Sequence, residues 1–222
     1  MTPLDIKLFQ QTKLSDVFFD FRDKTSVNPK QKIPTRDFST TGKIKKIVFH
    51  CTDADGWTPA RLSDFFLAER QFPISAYHYY VTGPKVYHMV GDGIVTYHAA
   101  PYNTEGIAFS IDYFASRDEQ LNIKPHPDVY ENALRTATML CLKYQILPIE
   151  GCLVGHRELF GTGWFQSKTG DHILRKTCPG LAINLSASRY EVGRRCQQIL
   201  SLIVDGVIGP KTQQAFTQLP RY

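Results

Sequence analysis

Side chains that hold metals or move protons crowd together between Val154 and Gly180: His156 in Val-Gly-His-Arg-Glu-Leu, then Lys176 and Cys178 in Arg-Lys-Thr-Cys-Pro-Gly. Lys176 and Cys178 are two residues apart and share a face if the segment is extended. A second imidazole, His50, closes the apolar run Ile47-Val48-Phe49, where a buried strand delivers it to the rim of a sheet. Two imidazoles and a thiolate form a three-ligand zinc set, the number a catalytic zinc uses when its fourth position is kept for water. The same residues also contain the parts of a thiol hydrolase, with Cys178 as nucleophile and His156 as base.

The five cysteines (Cys51, Cys141, Cys152, Cys178 and Cys196) include no CxxC pair, and their odd number argues against a disulfide framework. Cys178 has a basic neighbourhood, Arg175 and Lys176, which favours the thiolate that ligates metal.

The elements that must position these groups follow from the hydrophobic pattern. Residues 1–43 show scattered aromatics, charges, Pro29 and Pro34 with no sustained period, and read as an irregular arm that lays its aromatics on the following domain, with at most a short helix around Lys13–Phe19. Lys45 to His50 reads as a central strand. Thr58-Pro59 opens a helix running to about Arg70, with Leu62, Phe65 and Phe66 on one face. Ser75–Val81 and Lys85–Val90 flank a Gly83-Pro84 turn and predict a hairpin, and Gly106–Asp112 predicts a further strand. Tyr130, Leu134, Ala137, Leu140, Cys141 and Tyr144 recur at helical spacing between Pro127 and Gln145. Cys152-Leu153-Val154 then returns as a strand delivering His156. On the same reading His78 and His88 lie on the sheet without a chemical role, and Tyr79-Tyr80 is core.

From Arg189 the pattern changes. Val192, Cys196, Ile199, Leu200 and Ile203 form one helical stripe, Asp205-Gly206 a turn, and Gly209-Pro210-Lys211-Thr212 opens a last helix with Ala215, Phe216 and Leu219. The expected fold class is therefore α/β, a mixed central sheet flanked by helices, plus a small all-α C-terminal unit. The expected division is an arm at 1–43, a catalytic domain at 44–184 and a helical module at 186–222, which at this length leans on the main domain.

A chain of 222 residues with 42% hydrophobic content can bury a core, which excludes a disordered protein. No run approaches the length of a membrane span, and the first residues lack the charged and apolar regions of a signal peptide. The net charge of +5 suits a polyanionic partner without choosing among nucleic acid, wall polymer and lipid. The segment 186–222 holds five basic residues against two acidic ones and is the basic part.

Five short stretches stand in the order found in the zinc N-acetylmuramoyl-L-alanine amidases, a family related to peptidoglycan recognition proteins. They are Val48-Phe49-His50-Cys51-Thr52, Ala76-Tyr77-His78-Tyr79, Tyr97-His98-Ala99, Gly155-His156-Arg157-Glu158-Leu159 and Lys176-Thr177-Cys178-Pro179-Gly180. The resemblance covers roughly 44–184. It implies that His50, His156 and Cys178 ligate zinc, that Tyr77 orients water or assists proton transfer, and that Lys176 stabilises an oxyanion. His98, Thr177 and Trp164, the last in the insert Phe160–His172, are the expected substrate-facing residues, with His98 alternatively standing behind a ligand. Ser110 occupies a position where some relatives carry glutamate, so the acid–base work falls on Tyr77 with Lys176, and Asp112 is held in reserve. The tail around Asp205, Gly206, Gly209, Lys211 and Thr212 resembles the core of small helical peptidoglycan-binding modules, although it is shorter.

The expectation is thus a zinc amidase of the phage endolysin type. It cuts between N-acetylmuramic acid and L-alanine in bacterial peptidoglycan, and it is a monomer without a nucleic-acid partner. It is made in a host cytoplasm and acts on the wall after release. The alternatives are a non-catalytic recognition protein, whose members typically replace the Cys ligand, and a cytoplasmic muropeptide-recycling amidase.

Overall fold

The structure is a computed structural model that describes residues 3–37, 44–118, 120–121, 123–160, 165–166, 172–173 and 177–219. In chain order the elements are α1 (Pro3–Gln11), β1 (Phe18–Asp20), β2 (Lys46–Cys51), α2 (Pro59–Ala68), β3 (Tyr79–Thr82), β4 (Lys85–His88), β5 (Gly106–Ile111), α3 (Ala115–Asp118), α4 (Pro127–Tyr144), β6 (Leu153–Gly155), β7 (Phe165–Gln166), β8 (His172–Ile173), α5 (Leu185–Ile199) and α6 (Pro210–Thr217). Six strands form one mixed sheet in the order β1-β4-β3-β5-β2-β6, while β7 and β8 pair antiparallel by themselves. The β3–β4 hairpin is antiparallel; β2 pairs in parallel with both β5 and β6.

Alternation along the central strands sorts their side chains between two faces. Ile47, Phe49, Ile107, Phe109, Tyr79 and Val81 join one core cluster with Ala133, Ala137 and Leu140 of α4. The residues between them face the other way, and His50 stands opposite Ser110 across β2 and β5. There Tyr80 packs with Leu62 and Phe66 of α2 in a second, smaller cluster. Helix α2 begins as its sequence dictates, with the Thr58 hydroxyl accepting from Arg61 N at 3.2 Å and Pro59 in the first turn.

The arm departs from expectation. Instead of an irregular segment with a helix at 13–19, α1 places Leu8 and Phe9 in the main core, and β1 adds an edge strand parallel to β4. Three strand residues are too few to show a period, and the sheet's open edge, which cannot be read locally, makes the strand. Further on, Thr35 bridges Ile94, and Arg36 is buried.

At the other end, α5 lies on α4. Leu185, Val192, Cys196 and Phe216 belong to the same core cluster as the sheet, and Arg195 grips Glu131 with two bonds of 2.9 Å. Ile203 does not continue the expected helical stripe: α5 ends at Ile199, and Ile203 is 77% exposed.

Candidate metal centre

At the C-terminal ends of β2 and β6, the structure brings together the residues that the sequence separates by up to 128 positions. One ligating atom from each of His50, His156 and Cys178 lies within 4.8 Å of the other two. His50 Nδ1 is 3.6 Å from Cys178 Sγ, and the rings of His50 and His156 are 4.5 Å apart. Burial pushes the Cys178 thiol up, but a hydrogen bond from Cys51 and the neighbouring His50 and His156 outweigh it and hold the thiol well below its ordinary range. A thiolate with two imidazoles at this spacing fits a zinc ion, and it is the single such cluster among the described residues.

His98 stands behind His50 and not out in the groove. It is buried, and its Nδ1 lies 3.3 Å from His50 Nε2, so one ring orients the other. Burial, and then the nearby His50, His78 and Arg36, hold His98 neutral, as an acceptor for the His50 N–H requires. Its own position is set by Asn103, whose Oδ1 accepts from the backbone N–H groups of His98 (3.1 Å) and Ala99 (2.6 Å). Gly106 closes the other side, because a Cβ there would come within 2.9 Å of the His98 ring.

Arg36 ties this turn down. Its guanidinium donates to the carbonyls of Asn103 (3.0 Å), Thr104 (3.1 Å) and Ile94 (2.7 Å), and also to Gly106 O. His78, held low at about 3 by burial and by Arg36, is likewise an acceptor inside this cluster, receiving the Ala108 N–H at 3.1 Å. Arg157 does the equivalent for the other two ligands. Its N–H donates to Cys178 O at 2.8 Å, and its side chain reaches the carbonyls of Thr177, Gly180 and Ile183. Neither arginine is singled out by sequence reasoning; Arg157 carries a signal in its place next to His156, whereas Arg36 carries none.

The remaining predicted residues divide. The Tyr77 ring lies 5.0 Å from His50 and edge-on to Phe66. Burial, then the sulfurs of Cys178 and Cys51, raise its hydroxyl far above the ordinary range, so it remains a donor. Ser110 Oγ is buried on the same face, where it bears on the Tyr77 hydroxyl. Asp112 is engaged elsewhere, its Oδ2 accepting from Thr82 Oγ1 (2.9 Å) and Gly56 N (3.0 Å). Thr177 is exposed beside Cys178. Lys176 and Trp164 lie outside the described residues.

In the tail, Asp205 and Gly206 shape a turn around Gln197, which donates to Asp205 Oδ1 at 2.8 Å and accepts from Gly206 N at 2.8 Å. Gly206 has φ +77°, a conformation strained for any residue with a side chain, and a Cβ there would meet the exposed Tyr190 ring unless that ring moved. Gly209 caps α6, Thr212 is buried against Gln197, and Lys211 is exposed at a shallow cavity of about 410 Å³ with Ile203, Asp205 and Val207.

Three comparisons bear on this arrangement. The family described as N-acetylmuramoyl-L-alanine amidase matches residues 40–181. No curated protein matches the chain. Among solved structures, the Ph2119 endolysin from the Thermus scotoductus MAT2119 bacteriophage superposes with a TM-score of 0.57 at 18% identity, covering 79% of this chain and 99% of that one. The endolysin N-acetylmuramoyl-L-alanine amidase LysCS from Clostridium intestinale gives 0.54 at 16% identity, covering 83% and 95%. Drosophila peptidoglycan recognition protein SD gives 0.56 at 17% identity, covering 77% and 92%. At such identities the likeness shows the fold: a mixed sheet with flanking helices.

Proposed function

Because the chain belongs to the N-acetylmuramoyl-L-alanine amidase family and is a peptidoglycan amidase, we propose that it works with zinc held by His50, His156 and Cys178. The observation that carries this reading is the convergence of the three ligating atoms within 4.8 Å. Zinc bound there supplies a Lewis acid that polarises a carbonyl and acidifies a water towards neutral pH. The chain's own groups do the rest. His98 keeps the His50 ring in one tautomer, the Cys51 N–H supports the Cys178 sulfur at 3.3 Å, and the Tyr77 hydroxyl offers a proton beside His50. Lys176 supplies the positive charge for the oxyanion. The products are a lactyl carboxylate on the muramic acid and a free L-alanine amine.

On this reading the protein is an endolysin that acts on the wall as a monomer after release from the cytoplasm, and 186–222 contributes wall binding through the surface around Lys211. The standing Cys178 favours catalysis over a recognition protein without metal. The test is metal content and product analysis on purified peptidoglycan for the parent and Cys178→Ser, each with and without chelator. About one zinc per chain and new L-alanine amino ends, both lost in the variant, are expected. New reducing sugar ends would make the chain a glycosidase, activity that survives chelator would make Cys178 a nucleophile, and wall binding without metal or new ends would leave a recognition protein.

A further inference from the structure

Cys178 touches a second sulfur. Cys51 follows the ligand His50 at the end of β2; its backbone N–H points at Cys178 Sγ from 3.3 Å, and its thiol hydrogen-bonds to the same atom. Both thiols are free, and the Cys178 side chain packs against the cluster that contains Cys51. Their exposure differs: Cys51 is 6% exposed, whereas Cys178 is only half-buried. A small oxidant entering the site therefore meets Cys178 first, with Cys51 in contact behind it. That is the arrangement of an attacking thiol and a resolving thiol. A second hydrogen-bonded pair, Cys141 and Cys196, offers the contrast: both lie fully buried between α4 and α5, and neither is reachable.

We propose that Cys51 and Cys178 form a peroxide-sensitive modification site, in which a reversible disulfide takes a ligand from the metal centre. The Cys178 thiolate attacks one peroxide oxygen, the O–O bond breaks, hydroxide leaves, and Cys178 becomes a sulfenic acid. Cys51 sulfur then attacks the Cys178 sulfur, the S–S bond forms, the S–O bond breaks, and the hydroxyl departs as water with the Cys51 proton. The two thiols lose two electrons, and the peroxide is reduced to water. The cross-link rests on the contact between the two cysteines; the loss of metal that follows from it rests on the zinc reading above.

The experiment treats the folded full-length chain, zinc-loaded in one arm and stripped of metal in the other, with a small excess of hydrogen peroxide. Zinc content is measured before oxidant is added, so failure of the zinc reading registers separately. In both arms titratable thiols should fall from five to about three, the intact mass should drop by about 2 Da, and the digest should contain a Cys51–Cys178 cross-linked peptide. In the loaded arm zinc should appear in solution in step with the cross-link, and dithiothreitol should restore both thiols. A digest with Cys178 as sulfinic acid and Cys51 still free, or with the cross-link at Cys141–Cys196, would overturn the proposal. Cys51→Ala should leave Cys178 without a resolving thiol, so that oxidation passes to the sulfinic acid, adds about 32 Da and resists dithiothreitol. The parent's digest decides on its own if that variant does not fold.

Discussion

Tyr77 separates packing from chemistry at a single oxygen. Its ring is fixed between His50 and Phe66, while its hydroxyl is held protonated by burial and by the neighbouring sulfurs. Tyr77→Phe keeps the ring and removes only the donor. We expect kcat on a muramoyl-peptide to fall on the order of 10²-fold, the lower range for a positioned proton donor, with zinc content unchanged. Equal loss of zinc would assign Tyr77 to packing. The three proposed ligands were legible because each sits in a short motif, the two histidines at strand ends and Cys178 in the turn before Pro179-Gly180, and a local pattern is enough to place a residue there. His98 was legible as a histidine near the site, but its place behind His50 depends on Asn103 and Gly106, which only the folded turn brings together. Ligand types show in sequence; the groups that orient them are chosen by geometry.

At the scale of elements, the arm supports the candidate metal site. Arg36 enters from residues 34–37 and satisfies the carbonyls of the turn that carries Asn103 and faces His98. A planar guanidinium reaches several carbonyls at once, and a lysine ammonium cannot reproduce that fork. Both Arg36→Met and Arg36→Lys should therefore melt several degrees lower and, at temperatures where they are folded, give up zinc about tenfold more readily in a chelator competition, the lower end for losing an outer support. A lower melting temperature with unchanged zinc retention would confine Arg36 to stability. Helices α2 and α4, the β3–β4 hairpin and the strands β2 and β5 were legible, since each carries its own cap, turn or apolar period. The arm was not, because α1 and β1 are stabilised by what they dock against: Leu8 and Phe9 in the core, and β4 at the sheet edge.

Over the whole molecule, the change of pattern at Arg189 marks a new element, and the packing ties that element to the catalytic body. Leu185 at the start of α5 presses on Gly155, the residue before His156. A Cβ at Gly155 would lie 2.6 Å from Leu185 and 2.9 Å from Pro179, so both ligand loops and α5 meet at one glycine. Arg189 donates to Leu153 O at 2.8 Å and pairs with Glu158, and Gln145 Nε2 reaches Leu219 O at 2.7 Å. Burying Leu185, Val192, Cys196 and Phe216 contributes roughly 6–12 kcal/mol as an upper bound, which is comparable to the whole stability of a domain, about 5–15 kcal/mol. The full chain should therefore unfold in one calorimetric transition. A chain ending at residue 184 should lose near-ultraviolet dichroism and zinc together. The wall binding proposed for the same segment is read by co-sedimentation with peptidoglycan, which Lys211→Ala should weaken while leaving the transition where it was, because Lys211 is exposed. Two transitions, or a shortened chain that keeps its zinc and its activity and loses only the wall, would make 186–222 a module in its own right.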